Sequence, residues 1–189
     1  LKHINVIENF IDSDTNQLIV DFINNNQELF SSDQEDRRFA LRFGKDFYWQ
    51  DSNEDMSLLK DLSNIFKDKI FPKVNDAIFE LYNEKNLKVS NMWLSKHLPG
   101  SIIPMHLDHD GWRNSQFKYS AILYLSTLDN DGILQFPFLE HSYTPVSNSL
   151  IIFPSHGIDF DDQFAHRVDS INSVRYSVPM WISDIEYSL

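Results

Sequence analysis

The chain has 189 residues, 42% of them hydrophobic, with 15 Phe, 7 Tyr and 4 Trp, no cysteine and a formal net charge of −12. That size and composition predict a single globular domain over 1–189 with a substantial core. The acidic balance argues against nucleic acid or an anionic membrane as a partner, because phosphate binding needs a basic face. The lack of cysteine removes disulfides, iron–sulfur clusters, thiolate zinc sites and cysteine nucleophiles. No apolar run approaches the roughly 18 residues that span a bilayer. The N-terminus lacks the basic and apolar regions of a signal peptide, so the expectation is a soluble, cytoplasmic protein.

Ile4, Val6, Ile7 and Phe10 predict an opening strand. Asp12-Ser13-Asp14 then offers N-cap residues. The helix they introduce carries Leu18, Ile19, Phe22 and Ile23 at helical spacing and ends in Asn24-Asn25-Asn26. Residues 31–55 mix Arg37, Arg38, Arg42 and Lys45 with Phe39, Phe43, Phe47, Tyr48 and Trp49, with little periodicity. They read as an irregular strand or loop over the core with a solvated charged edge, the commoner fate of loop aromatics. The competing reading is a substrate flap whose arginines meet an acidic group. Met56, Leu59, Leu62, Ile65 and Phe66 predict a second helix, which Pro72 should kink or end. Val74, Ala77, Ile78, Leu81 and Tyr82 continue at helical spacing as far as Asn83–Asn86.

From Val89 the texture changes to short β-rich runs at 88–97, 101–106, 117–126, 132–138, 149–153, 164–170 and 174–183. Helices followed by strands predict an α+β fold. So many short strands predict a double-stranded β-helix (jelly-roll, cupin-like) core over 88–183, with the strand and helices of 1–87 packed on one of its sheets.

His106-x-Asp108 puts both side chains on one face if the backbone is extended. Alone the pair is equally a polar turn at a strand end, and His109 is a rival ligand. His166 and Arg175 sharpen the case. If 164–170 and 174–183 form a hairpin with Asp169 opposite Val174, then His166 sits opposite Ser177 and Arg175 opposite Val168. Both side chains then point the same way. Two imidazoles and one carboxylate can occupy one face of a divalent metal and leave the other positions open, the arrangement used for oxygen activation at non-haem Fe(II). Arg175 offers a planar donor fork that matches a carboxylate. A divalent ion, one aspartate, a dicarboxylate and one arginine would cancel in charge, as a buried site needs. An ordinary ion pair with an acidic residue is the other reading of Arg175.

The ordered set His106-x-Asp108, Ser120-Ala121-Ile122-Leu123-Tyr124-Leu125, Gly132-Ile133-Leu134-Gln135-Phe136, Ser149-Leu150-Ile151-Ile152-Phe153-Pro154, Ala165-His166-Arg167-Val168 and Arg175-Tyr176-Ser177 resembles the prolyl-4-hydroxylase-like branch of the 2-oxoglutarate/Fe(II) oxygenases. The resemblance covers residues 90–183 well and the preceding ones loosely. It implies His106, Asp108 and His166 as iron ligands and catalytic centre, and Arg175 as the anchor for the distal carboxylate of 2-oxoglutarate. Tyr124 would lie near that carboxylate, although an ordinary strand aromatic would look the same. The implied cofactors are Fe(II), 2-oxoglutarate and O2, with ascorbate as a stimulant. The implied reaction hydroxylates an unactivated C–H bond, on a prolyl or other amino-acid side chain, and releases succinate and CO2. Retention of Asp108 favours hydroxylation over halogenation.

Two departures stand out. His97-Leu98-Pro99-Gly100 lies where many relatives carry a tyrosine before Pro-Gly, and Asp131-Gly132 where they carry paired glycines. Trp112 and Arg113 are candidates for the substrate mouth. His3, His97, His141 and His156 read as surface or hydrogen-bonded histidines. The expected partner is a peptide or small-molecule substrate. Two other classes stay open: a non-catalytic jelly-roll binding module, and a metal-dependent β-barrel enzyme that does not use 2-oxoglutarate.

Overall fold

Helical spacing before residue 83 and strand alternation after 88 become, in the computed structural model, a helical layer and two antiparallel sheets. The structure describes residues 3–33, 37–43, 57–108, 117–156 and 162–184. Its elements in chain order are β1 (Asn5–Ile7), α1 (Ser13–Asn25), β2 (Ser31–Asp33), β3 (Arg38–Phe43), α2 (Ser57–Ile65), α3 (Phe71–Tyr82), β4 (Lys88–His97) and β5 (Ile103–His106). They continue with β6 (Phe117–Tyr124), β7 (Leu134–Phe136), β8 (His141–Tyr143), β9 (Ser149–Pro154), β10 (His166–Val168) and β11 (Arg175–Ser183). The larger sheet has the order β1-β9-β6-β11-β4-β3-β2 and the smaller one β5-β10-β7-β8.

The helices form for local reasons. Asp12 caps α1, its carboxylate accepting from the Thr15 backbone N–H at 2.7 Å and the Thr15 hydroxyl at 2.9 Å. Pro72 does not end the second helical stretch. A π turn at Phe66–Ile70 precedes it, and the proline falls in the first turn of α3, where its missing N–H is not needed. Asn83 closes α3 in the left-handed conformation (φ 57°), its N–H donating to the Phe79 carbonyl at 2.9 Å.

Strand alternation sorts the larger sheet into two buried faces. Ala121 and Leu123 of β6, Leu150 and Ile152 of β9, and Val178, Met180 and Ile182 of β11 pack with Ile19, Ile23, Phe66, Val74 and Ile78 of the helical layer. Their sequence neighbours Ile122, Tyr124, Ile151 and Phe153 point the other way, into a second core shared with Leu134, Phe136 and Val168 of the smaller sheet. Burial on both sides explains why 121–125 reads as an unbroken apolar run.

The hairpin expected between 164–170 and 174–183 does not form. β10 pairs with β5 and β7 in the smaller sheet, while β11 lies between β4 and β6 in the larger one. Length decides this, because the nine residues of β11 find ladders with a ten-residue and an eight-residue strand, against the three that β10 offers. The connection instead crosses between the sheets, held where the Gly100 N–H donates to the Ile171 carbonyl (2.7 Å) and the Ile171 N–H to the Ser101 carbonyl (3.1 Å). Several strands are shorter than the sequence pattern, since Pro137–Leu139 and Asp162–Phe164 turn as 3-10 segments. β2 and β3 give order to part of the 31–55 stretch, with Phe39 and Leu41 packed against the helical core. Lys45, Phe47, Tyr48, Trp49 and Met56 lie outside the described residues, as do His109, Trp112 and Arg113. Among the described residues no helix is long and apolar enough to cross a membrane.

The two-faced sheet makes a direct prediction. Leu123→Ala, at a fully buried site on the helix-facing side, should cost about 3 kcal/mol of stability in urea melts. Phe79→Ala, on a side chain 42% exposed, should stay within about 1 kcal/mol.

Candidate active site

β5 and β10 are neighbours in the smaller sheet, and their register makes His106 and His166 direct partners. Their rings lie 4.4 Å apart, centroid to centroid. Asp108 follows β5 and closes the group, with one carboxylate oxygen 3.5 Å from His106 Nε2 and the other 3.8 Å from His166 Nε2. The three ligand atoms all lie within 4.8 Å of one another, and no other group of this kind occurs among the described residues.

Both imidazoles are oriented alike. Nδ1 of His106 lies 2.9 Å from the Pro104 carbonyl, and Nδ1 of His166 lies 3.1 Å from the Phe164 carbonyl, in each case two residues earlier. A carbonyl only accepts, so each Nδ1 keeps its proton and Nε2 is the nitrogen that titrates, facing Asp108 with a proton when charged and with a lone pair when neutral. The neutral form so fixed is the tautomer a metal ligand needs. Phe136 and Phe153 pack on the His166 ring at 5.5 and 5.0 Å and bury it, whereas the His106 side chain is 40% exposed. The site therefore opens on the His106 side.

Charge follows from this packing. Burial opposes ionisation of Asp108, but the charge of His166 and the hydrogen bond from His106 outweigh it and hold its carboxyl well below the usual range. Burial lowers the His166 pKa, more than Asp108 raises it. For His106 burial is outweighed by the hydrogen bond and charge of Asp108, and its pKa is raised.

Arg175 starts β11 in the opposite sheet and faces the same pocket, whose lining also includes His97, Ser95 and Leu134. It is 2% exposed. Its guanidinium lies 5.3 Å from the Tyr124 ring centroid, with Nη2 donating a long hydrogen bond (3.4 Å) to the Tyr124 hydroxyl. Its Nε is buried with no hydrogen-bond partner, and no carboxylate pairs with Arg175 among the described residues. A buried guanidinium with an unused N–H fits an acid group arriving from the pocket. The paired imidazoles and carboxylate fit a divalent metal, so both donor sets suit the cofactors the resemblance implies.

Residues outside the ligand set hold this arrangement. Asp131 accepts hydrogen bonds from the backbone N–H groups of Gly132 (2.9 Å), Asn172 (2.9 Å) and Ser173 (2.9 Å), which clamps the loop leading into Arg175. Gly132 has φ 57°, and a Cβ there would meet Leu128 Cδ1 at 2.6 Å and Arg175 Cδ at 3.5 Å, so no side chain fits. The Asp131-Gly132 departure is thus one acceptor and one bare backbone position. His97, read from the sequence as a surface or hydrogen-bonded histidine, is the hydrogen-bonded one. It is not a surface histidine but is 4% exposed, pairs with Arg175 across the sheet and lies 3.1 Å through Nδ1 from the Ser101 hydroxyl. Burial, then the charges of Arg175 and Arg38, push its pKa well down and keep it neutral. The missing tyrosine at this position was the available signal.

No protein-family model matches the chain, and no curated protein matches it in sequence. Solved structures do match. The viral collagen prolyl hydroxylase of Paramecium bursaria Chlorella virus-1, in a 2-oxoglutarate complex, superposes with a TM-score of 0.63 at 13% identity, covering 97% of each chain. A 2OG-Fe(II) oxygenase family oxidoreductase from Burkholderia pseudomallei gives 0.68 at 13%, covering 97% of this chain and 85% of the other. A Trichoplax adhaerens prolyl hydroxylase, in complex with a peptide fragment of the hypoxia inducible factor oxygen degradation domain, gives 0.65 at 18%, covering 97% and 84%. The chain has the fold of the prolyl-hydroxylase-like 2-oxoglutarate/Fe(II) oxygenases.

The loop clamp is testable. Asp131→Ala should cost about 2 kcal/mol at neutral pH, because it strands several backbone donors. Burial opposes ionisation of Asp131, but the hydrogen bonds from Asn172, Gly132 and Ser173 outweigh it and lower its pKa. The stabilisation is therefore present above the ordinary value of 3.8 and lost as the pH falls through the folded-state pKa. Urea melts of the two proteins should converge there.

Proposed function

We propose that the chain is an Fe(II)- and 2-oxoglutarate-dependent dioxygenase that hydroxylates an unactivated C–H bond, with release of succinate and CO2. The observation that carries this reading is the buried Arg175, with its unpartnered Nε, opening on the same pocket as His106, Asp108 and His166. On this reading 1–189 is one oxygenase domain, with 1–87 supporting a double-stranded β-helix of 88–183 whose two walls are the two sheets. The structural neighbours, a 2-oxoglutarate complex among them, favour the same class.

When bound, the metal supplies oxygen activation and 2-oxoglutarate the electrons for it. The chain's own work is to hold and orient. His106, Asp108 and His166 would ligate the metal on one face, each histidine fixed by its Nδ1 hydrogen bond. Arg175 would grip the distal carboxylate of the co-substrate, and the Tyr124 hydroxyl, already against Nη2, would lie beside that carboxylate. Phe136 and Phe153 exclude water behind His166. Neutral His97 adds no charge beside the Arg175 guanidinium. The open His106 side leaves room for a peptide or small-molecule substrate, and a peptide occupies the Trichoplax neighbour.

Thermal shift separates this reading from its rivals, because a ligand that binds the native state alone raises the melting temperature. Mn(II), a redox-inert stand-in, should raise Tm, and 2-oxoglutarate should raise it further. His106→Ala should abolish both increments, and Arg175→Ala only the second. A binding module predicts no metal increment. A metal enzyme of another kind predicts no 2-oxoglutarate increment, and either result would end this proposal. With ascorbate, Fe(II) and substrate, succinate should accumulate.

Metal affinity should also depend on pH. Imidazole must be neutral to ligate, and the His106 pKa is raised above 6.5. Calorimetric titration with Mn(II) should therefore show affinity falling as the pH drops through that raised value.

A further inference from the structure

Three histidines line the pocket, His97, His106 and His166, and they are not held alike. His106 and His166 each turn Nδ1 to a backbone carbonyl, which fixes a proton there. His97 instead sets Nδ1 3.1 Å from the Ser101 hydroxyl, a group that can either donate or accept.

Satisfaction of buried groups decides which it does. Ser101 is 2% exposed, and the His97 ring is the one partner of its hydroxyl among the described residues. If Nδ1 donated, the hydroxyl proton would be buried with no acceptor, which is unfavourable. Ser101 therefore donates and Nδ1 accepts. His97 is 4% exposed, and burial, with the charges of Arg175 and Arg38, keeps it neutral. A neutral imidazole has one N–H, so here it lies on Nε2, the reverse of the neutral forms of His106 and His166. Arg175 agrees with this assignment. It is the cross-strand partner of His97, and a bare Nε2 would offer it an acceptor, yet its Nε has none. The Nε2–H of His97 is likewise without a partner among the described residues, on a side chain that lines the pocket.

We propose that His97 is a binding residue for the co-substrate, donating from Nε2 to the carboxylate that Arg175 grips. This rests on the oxygenase reading above and deepens its co-substrate site.

The sheet order brings the donors together. β11 lies between β6 and β4. Tyr124 of β6 meets Arg175 Nη2 on one side, and His97 of β4 stands opposite Arg175 on the other. Adjacent strands lie about 4.8 Å apart, so an acid group on Arg175 is within side-chain reach of both neighbours. A carboxylate has about four acceptor sites, of which a guanidinium fork fills two. The Tyr124 hydroxyl proton and the His97 Nε2–H are the donors that can fill the others. A neutral donor also adds a hydrogen bond in this row without adding another cation beside Arg175.

The test uses the full chain loaded with Zn(II), with the histidine nitrogens read by NMR and His97 assigned by the signals lost in His97→Gln. Before co-substrate is added, His97 should carry its proton on Nε2 and be bare at Nδ1. A proton on Nδ1 overturns the proposal. On addition of 2-oxoglutarate the Nε2–H proton should move downfield as it gains an acceptor, and an unmoved signal at saturation overturns the proposal too. Calorimetry adds the energetic arm. His97→Phe should weaken 2-oxoglutarate binding about tenfold and leave Mn(II) affinity within about twofold. His97→Gln, which keeps an N–H donor, should recover part of the loss. Equal 2-oxoglutarate affinity in wild type and His97→Phe, or a parallel loss of metal affinity, assigns His97 a structural role and overturns the proposal. If His97→Phe does not fold, the tautomer and the co-substrate shift in the wild type decide the matter. Failure of wild-type protein to bind 2-oxoglutarate at all sinks the oxygenase reading itself, whereas binding with a silent Nε2–H sinks only the role of His97.

Discussion

A guanidinium buried at 2% exposure, with no carboxylate beside it among the described residues, is the constraint around which the rest of this structure is arranged. Taking such a group out of water costs several kcal/mol unless charge and hydrogen bonds compensate. The protein supplies only partial compensation, a long hydrogen bond to Tyr124 and the face of its ring. It also avoids making the position worse. His97, the cross-strand partner, is kept neutral, and Gly132 offers no side chain to push Arg175 aside. The Asp131 carboxylate is spent on the loop before β11, where it fixes three backbone N–H groups and so the entry angle of the strand. A site kept in this state is prepared for an anion.

The two sheets divide the work. The smaller sheet carries both histidines on adjacent strands, so their separation is set by strand pairing and not by loop geometry. The larger sheet carries Arg175, His97 and Arg38 in one row, so spacing among the basic groups is set by the same ladder. Between them the core built on Tyr124, Phe136 and Phe153 fixes how far one set stands from the other. Sites on strands are held more firmly than sites on loops, and the reaction proposed above would gain from that alignment. The helical layer packs on the other face of the larger sheet. Its contribution is to bury the outer face of the larger sheet, which keeps long strands such as β6 and β11 from being exposed.

His97 and Arg38 show why composition-level reasoning undervalues some residues. A histidine in a short polar stretch read as surface or hydrogen-bonded, and an arginine in an aromatic, aperiodic stretch as a charged edge or a substrate flap. Each takes its surroundings from a neighbour far away in sequence, His97 from Arg175 and Arg38 from Trp93. Nothing local distinguishes them, although the departure from Tyr-x-Pro-Gly at His97 marked where to look.

The sequence by itself determined the helix positions, most strand positions and the identity of the ligand letters, because capping, period and spacing are local properties. Residues 88–97 and 174–183 read as strands almost to the residue, and the two-residue step from His106 to Asp108 survives as proximity. Only the tertiary structure decided which strands pair. A hairpin between 164–170 and 174–183 satisfies every local rule, and it would bring His166 and Arg175 to one side of one sheet. They face one pocket for a different reason. β11 gains longer ladders with β4 and β6 than β10 can offer, so the chain crosses over and the two residues look at each other from opposite walls. Ladder length is a property of partners distant in sequence, and no reading of adjacent residues contains it.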